Sequence, residues 1–440
     1  MDKIAVTKKQ TIILNILFLT FPLSFILGHA FINLNLVLIS LLTLIFFKKE
    51  VFKMNFLLVD KLFFLLFLYS IFVAVFNSIE MYQDDKISND NTVLIKSTLY
   101  LRYLLFYLIL RFLVEKNILN FKWFFYICGL LCLYVCAEIF YQFIFGQTFF
   151  GEKLSPIQRK MPGPFGKEWI AGGYLLRFSL FALFGFALFA KFKNHLMHKS
   201  LLILLVMIIF LGIFLSGNRI PFAFFVIGLA LIMLFEKKVR KYLSVFAILF
   251  SVIFFVGYKS SFEVKLNFQE LYSSIAEVSY KMYALTAGHE MNYWRYGLPP
   301  VFHEWESFYD TWQMNKYIGG GIRSFRLNCP KRATIDNIDI DERITCNTHP
   351  HNYYLEIMTD LGIVGLIIIF FIFFTVFVKP FYRKYITQKI EDNIFIGPFL
   401  FAFFLEVFPI KSTGSFFTTN VSTIIVLYMA IIVSLGNKKV

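Results

Sequence analysis

The stretch "CNTHPHNYYLEIMTDLGIVGLIIIF" (residues 346–370) sets two imidazoles, His349 and His351, at the entrance of a run apolar enough to cross a membrane. A neutral imidazole takes a proton from a hydroxyl near pH 7. His351, followed by Asn352 and the interfacial pair Tyr353 and Tyr354, is therefore a candidate general base for a sugar hydroxyl. A histidine so placed also serves as a hydrogen-bonded structural residue or a helix cap, and both readings stay open. Metal binding is the weaker chemistry. His349 and His351 are two positions apart, which on a helix point away from each other, and no HExxH or Cys/His set accompanies them.

Arginines are the second kind of residue that membrane energetics should have removed. Arg219 in "FLSGNRIPFAFF" follows a break between two apolar runs. Either its guanidinium snorkels to the headgroups, or the break turns it into a bundle interior, where its fork suits a phosphate or diphosphate. Arg102 in "STLYLRYLLFY", Arg177 in "GGYLLRFSLF" and Glu138 in "YVCAEIFYQFIFG" lie inside apolar runs, with Gln142 on the same face as Glu138. Ionisable groups at such depth face the bundle and pair with one another. They form a structural Arg–Glu pair or the outer shell of a polar cavity.

Helices crossing a bilayer must position these groups. Of the 440 residues 58% are hydrophobic, 59 are Phe, and the mean hydropathy is +0.68, more than the core of a soluble domain requires. Apolar stretches of about 18 residues or more recur twelve times, each long enough for about 30 Å of hydrocarbon. They fall near 11–28, 30–47, 60–79, 97–115, 121–145, 171–190, 201–217, 220–235, 242–258, 353–378, 394–410 and 416–435. The expected fold is all-α and polytopic, with about twelve transmembrane helices. Its expected parts are an N-terminal bundle over 1–258, a large outer loop over 259–352 and C-terminal spans over 353–440.

The basic runs "KIAVTKK", "KKEVFK", "KFKNHLMHK", "EKKVRK", "KPFYRKYITQK" and "NKK" all fall on one side of such a bundle. By the positive-inside rule that side is cytoplasmic and holds both termini, so the net charge of +15 is topological and implies no nucleic-acid partner. The basic start followed by a long apolar run reads as an uncleaved span. Two outer segments break the trend: "FGEKLSPIQRKMPGPFGKEW" (150–169), with four basic residues against two acidic, and the stretch from 259 to 352. A loop that long is expected to fold and to have a task, and outer positive charge suits an anionic ligand. Cys128, Cys132 and Cys136 repeat every four residues as buried filler, whereas Cys329 and Cys346 in the outer loop are placed to form a disulfide or to remain two thiols. "EWESFYDTWQM" aligns Trp305, Phe308, Tyr309 and Trp312 in a helical stripe that covers a cavity, lies on the membrane surface or packs on the bundle. The glycine run of "YIGGGIRSF" (317–325) ends that helix and is a weak signal for backbone contact with a phosphate.

At these residues the chain resembles the O-antigen ligase and polymerase family, bacterial membrane glycosyltransferases that use undecaprenyl-diphosphate-linked glycans. The family signature is a His followed by Asn, Ser or Gln, nine free positions, Gly, two free positions, and Gly, Thr or Tyr. His351-Asn352, "YYLEIMTDL", Gly362, "IV" and Gly365 match it throughout. The "HPHN" form, "SGNR" at Arg219, "GPFGKEWIAGGYL" (163–175) and "TWQMNKYIGGGIRSFR" (311–326) are similar to further blocks, so the likeness covers about residues 100–370. The resemblance implies an all-helical fold, a periplasmic loop covering the site, and inverting transfer without a metal or other cofactor. It assigns His351 as base or acceptor-orienting residue and Arg219 as the holder of the lipid diphosphate. The family's second arginine has no counterpart in "VFHEWESFYDTW", which offers His303 instead, so His303, Arg295, Arg323 and Arg326 are all open for that contact.

The resulting expectation is an inner-membrane enzyme, both termini cytoplasmic, that moves a glycan from undecaprenyl diphosphate to a sugar hydroxyl on the periplasmic side. The acceptor is lipid A-core in a ligase, another lipid-linked repeat unit in a polymerase, or a protein hydroxyl. Membrane lipid is its solvent, and His349, Asn352, Arg102, Glu138 and Arg177 would line the substrate. A flippase or transporter is the rival class, and the internal repeats it commonly carries are not visible.

Overall fold

A computed structural model describes residues 7–83, 91–154, 160–166, 168, 170–190, 195–237, 240, 300–335, 346, 349–390, 393–409 and 414–437, with isolated positions 251, 255, 258, 259, 265, 269 and 272. Over these residues the chain is helical, and the helices are numbered here in chain order: α1 Lys8–Leu19, α2 Phe21–Leu27, α3 His29–Phe47, α4 Leu58–Gln83, α5 Thr92–Tyr100, α6 Arg102–Glu115, α7 Phe121–Phe145, α8 Ala171–Phe189, α9 His195–Leu215, α10 Arg219–Phe235, α11 Pro300–Met314, α12 Phe325–Ile335, α13 Tyr353–Phe381, α14 Ile396–Glu406 and α15 Thr419–Asn437. Every expected span except 242–258 contains one of them; apart from Ser251, Phe255 and Tyr258 that stretch lies outside the described residues.

The protein is a multi-pass membrane protein. Among the described residues eight helices are long and apolar enough to cross, or nine when α1 and α2, bent by 42°, make one span. The expectation of twelve exceeds this because two apolar runs form helices of 17 and 11 residues, α10 and α14. At 1.5 Å per residue the shorter covers about 16 Å, roughly half a hydrocarbon core.

The chain divides into two compact units: residues 1–131, 177–185 and 301–440 form one, and residues 132–176 and 186–300 the other. The first is organised around α15, which is buried at every position from Val421 to Gly436. Its sequence is apolar on all sides, the pattern of a helix surrounded by others. Helices α3, α6, α13 and α14 pack on it, and Gly436 lets Pro380 of α13 approach, since a Cβ there would meet the proline ring at 2.9 Å. Phe124, Phe125, Phe181 and Phe399 form an aromatic layer in the same unit, with Phe181 and Phe399 centroids 4.6 Å apart. In the second unit Gly212 of α9 lies against Cys136 of α7, so the thiol fills a space that a β-carbon would close. Cys128, Cys132 and Cys136 are all buried and free.

One polar cluster in the first unit carries charge that hydropathy alone does not announce. Arg111 of α6 is paired with Asp60 of α4, and both are almost fully buried. Tyr107 Oη donates to Asp60 Oδ1 at 2.7 Å, and Arg111 also donates to Glu115 and to the Asn55 carbonyl. Each carboxylate oxygen of Asp60 has a donor, so the ions exchange water for a complete hydrogen-bond set rather than being merely desolvated. Replacing Asp60 with Ala leaves the guanidinium buried without its partner, and is expected to cost about 3–5 kcal/mol of stability. Thermal unfolding of the purified protein in detergent checks this; an unchanged Tm would refute the clamp.

Candidate active site

The residues matching the signature build one local device, a helix interrupted by another strand of backbone. Helix α13 is broken at Gly362, whose φ of 65° and ψ of −172° are not helical. In an uninterrupted helix Ile363 N–H would donate to the Thr359 carbonyl and Val364 N–H to that of Asp360. Here Gly320 and Gly321 donate to those carbonyls at 3.1 and 2.7 Å, while Ile363 and Val364 donate to the carbonyls of Lys316 and Tyr317 at 3.0 and 3.3 Å. Two bonds within the helix are thus replaced by four to the loop between α11 and α12. A β-carbon on Gly362 would strike the Tyr317 carbonyl, and one on Gly319 the backbone of Asp360 and Gly362. Only glycine permits both the left-handed turn and the backbone-to-backbone approach. From α4, Tyr69 Oη donates to the carbonyls of Ile318 and Leu361 (3.2 and 3.1 Å), and Asn77 to that of Gly319 (3.0 Å). The glycine run therefore approaches backbone, and the N–H groups of Gly320 and Gly321 are already spent on it, which removes the phosphate reading of that run.

Beyond the break, residues 353–361 form a short outer half-helix held at each turn by polar contacts. Asn352 is its N-cap, its Oδ1 accepting from Tyr354 N at 2.9 Å and Leu355 N at 3.2 Å, and its Nδ2 donates to the Pro409 carbonyl. Tyr353 Oη donates to Glu406 Oε1 at 3.1 Å, and Glu406 is paired with Arg177 at 2.8 Å, which also donates to Asn420. Glu356 accepts from Ser415 Oγ and Phe416 N, and Asp360 from Arg323 N at 2.6 Å. Of the two arginines open to pairing with Glu138, Arg177 forms its ion pair with Glu406 instead. Glu356, Asp360 and Glu406 escaped the sequence reading although each is an acidic residue in an apolar run, the same signal that singled out Glu138.

His351 immediately precedes the N-cap with a φ of 52°, a left-handed conformation uncommon outside glycine. Its ring meets that of His349 edge-on at 4.4 Å between centroids. Burial first, then the neighbouring His351 and the Arg326 charge, push the His349 imidazole down from 6.5 to about 4, so it stays neutral at physiological pH. Arg326 is exposed in the first turn of α12. Cys329, further along α12, is bonded to Cys346 and fully buried with Phe308 and Phe325 against Leu355 of the half-helix. Of the aromatic stripe on α11, Phe308 faces this core while Tyr309 is exposed.

The other expected arginines of this unit gather at the N-terminal end of α15 and the residues just before it. Arg323 donates to the Phe417 carbonyl (3.4 Å), Arg102 to Thr419 Oγ1 (3.5 Å), and Arg177 to Asn420 Oδ1 (2.8 Å). Arg102 also lies 4.8 Å over the Tyr103 ring, and its Nε is buried with no partner among the described residues. The side chain of His303 and all of Arg295 lie outside the described residues.

The second unit holds Glu138 and Arg219. Glu138 Oε1 accepts from Gln142 and from Phe149 N, and its Oε2 is buried without a hydrogen bond among the described residues. Gln142 clamps both backbone groups of Gly163, at 2.8 and 2.9 Å. The "SGN" turn closes on Gly172 and Lys160: a β-carbon on Gly172 would meet Ser216 and Asn218, and one on Gly217, φ 69°, would meet Lys160. Arg219 follows that turn, exposed, as the first residue of α10.

Two outcomes follow. Gly362→Ala should destabilise by more than the ~1–2 kcal/mol of a left-handed alanine, since the loop must also withdraw, and differential protease sensitivity of residues 315–324 would report that withdrawal. For His349 the folded chain binds its proton less readily than the unfolded one. Its contribution to stability is therefore complete above about pH 6.5 and declines as pH falls toward 4. The slope of Tm against pH in that window should flatten in His349→Asn, and an unaltered slope would refute the assignment.

A comparison with protein families finds that residues 202–370 match the model of Wzy_C, described as O-Antigen ligase. No curated protein matches the chain. The matched span contains Arg219, the loop of Gly319 to Gly321, Arg323, Arg326, both histidines and Gly362. Over residues 202–370 the chain is thus similar to the Wzy_C, O-antigen ligase, family of membrane glycosyltransferase-type enzymes.

Proposed function

We propose that the protein transfers a glycan from an undecaprenyl-diphosphate carrier to a sugar hydroxyl of lipid A-core at the periplasmic face of the inner membrane, with both termini cytoplasmic. The observation that carries this reading is the placement of His351 at the capped end of a half-helix whose other end is the signature glycine. The spacing between the two is then a length of helix rather than a coincidence of sequence. In the proposed step His351 takes the proton of the acceptor hydroxyl, whose oxygen attacks the anomeric carbon. The carbon–oxygen bond to the diphosphate breaks, and its electron pair remains on the leaving diphosphate. A single displacement of this kind inverts the anomeric centre. Charge grows on the leaving group as the bond breaks, so a guanidinium already in place stabilises the transition state more than the ground state.

Arg219 is assigned to that diphosphate, and Arg326 is the favoured second contact. It is exposed and acts electrostatically on His349, next to His351. Arg323 is the weaker choice, since its backbone N–H is held by Asp360 and its guanidinium reaches Phe417. Arg102, whose Nε has no hydrogen bond among the described residues, suits a phosphate contact, and Glu138, whose Oε2 likewise has none, suits a sugar hydroxyl. Arg177, held by Glu406 and Asn420, suits a positioning role.

Turnover of a defined lipid-diphosphate donor by the purified protein tests the assignment. His351→Ala is expected to lose about 10²–10⁴-fold in kcat, with Arg219→Ala and Arg326→Ala losing at least tenfold. Normal turnover in both His351→Ala and Arg219→Ala would end the proposal. Transfer onto lipid A-core supports a ligase, and transfer onto lipid-linked repeat units instead would make the protein a polymerase.

A further inference from the structure

We infer that the Cys329–Cys346 disulfide is a positioning element for His351. The inference rests on the transferase reading above. Cys346 is exposed and stands five positions before His351, while its partner Cys329 is fully buried in the α12 cluster of Phe308 and Phe325. That cluster packs on Leu355, the third residue of α13, and the Phe308 and Phe325 rings stack at 3.5 Å. One covalent bond therefore ties the histidine segment to the helix that carries Arg326, against the first turn of the half-helix that His351 precedes.

The backbone of His351 needs such a tie. Its left-handed φ of 52° is sparsely populated for a residue with a β-carbon and must be imposed from both sides. On the C-terminal side Asn352 imposes it through the cap and the Pro409 contact. On the N-terminal side the disulfide supplies a fixed point, joining Cys346 to the buried Cys329 of α12. That fixed point lies five positions before His351, whose ring meets that of His349, and Pro350 between them is buried. Elsewhere in this unit the core and the exchanged bonds at Gly362 do not pass through the disulfide. Its removal should therefore disturb the reacting residue more than the fold.

The experiment compares the full-length protein in detergent in three forms: oxidised, reduced by dithiothreitol, which delivers two electrons and two protons to the disulfide, and Cys329→Ser/Cys346→Ser. Three quantities are read: the rate at which diethyl pyrocarbonate modifies His351, resolved from His349 by peptide fragmentation; kcat and KM for a lipid-diphosphate donor; and Tm. Reduction is expected to change the His351 modification rate severalfold and to lower kcat about tenfold with KM within about twofold, since displacements of about 1 Å are costly at a reacting group. Tm should fall by only a few degrees, and reoxidation should restore the first two quantities. The inference is overturned if complete reduction, verified by thiol counting, leaves the His351 rate and kcat unchanged, or if kcat falls only in proportion to unfolded protein. The modification rate needs no turnover, so an active His351→Ala enzyme would remove the transferase reading while this readout still decides the disulfide's role.

Discussion

Backbone hydrogen bonding is the constraint from which the rest of this structure follows. A helix inside hydrocarbon cannot be interrupted unless other groups satisfy its freed N–H and C=O, because no water is there to do so. At Gly362 the loop between α11 and α12 meets that demand by exchanging its own backbone for the missing turn. The exchange divides one long helix into two tasks. The nineteen residues 363–381 are about 28 Å long, nearly enough to cross by themselves. The nine residues before the break are thereby free to carry polar groups and to present His351 at their capped end.

Because the loop enters the helix ladder, the position of α12 relative to the half-helix is set by main-chain geometry. Side chains refine it: Asp360 holds the Arg323 amide, Thr359 Oγ1 donates to the Phe308 carbonyl, and Cys329 packs on Leu355. Loops are ordinarily the variable, mobile part of a fold. Here residues 316–321 are bound into a helix, and that is the physical reason a segment of the loop can contribute to a site with precision.

Charge is handled in the same economical way. Each buried carboxylate of the half-helix region has two donors or more: Glu356 from Ser415 and Phe416, Asp360 from Arg323 and Ser324, Glu406 from Arg177 and Tyr353. Desolvation makes an unpaired ion costly, so such groups survive in apolar surroundings only with complete partners. This separates the arginines into kinds. Arg177 and Arg111 are engaged by carboxylates, whereas Arg326 is exposed and its charge acts on His349, and Arg102 has an Nε with no hydrogen bond among the described residues.

Composition and periodicity by themselves determined that the chain is helical and membrane-embedded, roughly where its helices lie, and that Cys128, Cys132 and Cys136 are filler, while the family resemblance joined His351, Asn352, Gly362 and Gly365 in one signature. Those properties are local, written in runs of apolar residues and in fixed spacings. Tertiary structure alone decided that Gly362 is a break filled by Gly320 and Gly321, that Arg177 answers to Glu406 rather than Glu138, and that the acids at 356 and 360 are anchors. The partners in each case are 36 residues or more apart in sequence, and a hydrogen bond carries no trace of its partner in the local pattern of either residue. The apolar run at 394–410 outlasts its helix, α14, for the same reason: hydropathy registers where apolar residues continue, whereas the end of Ile396–Glu406 depends on what the freed backbone finds to bond.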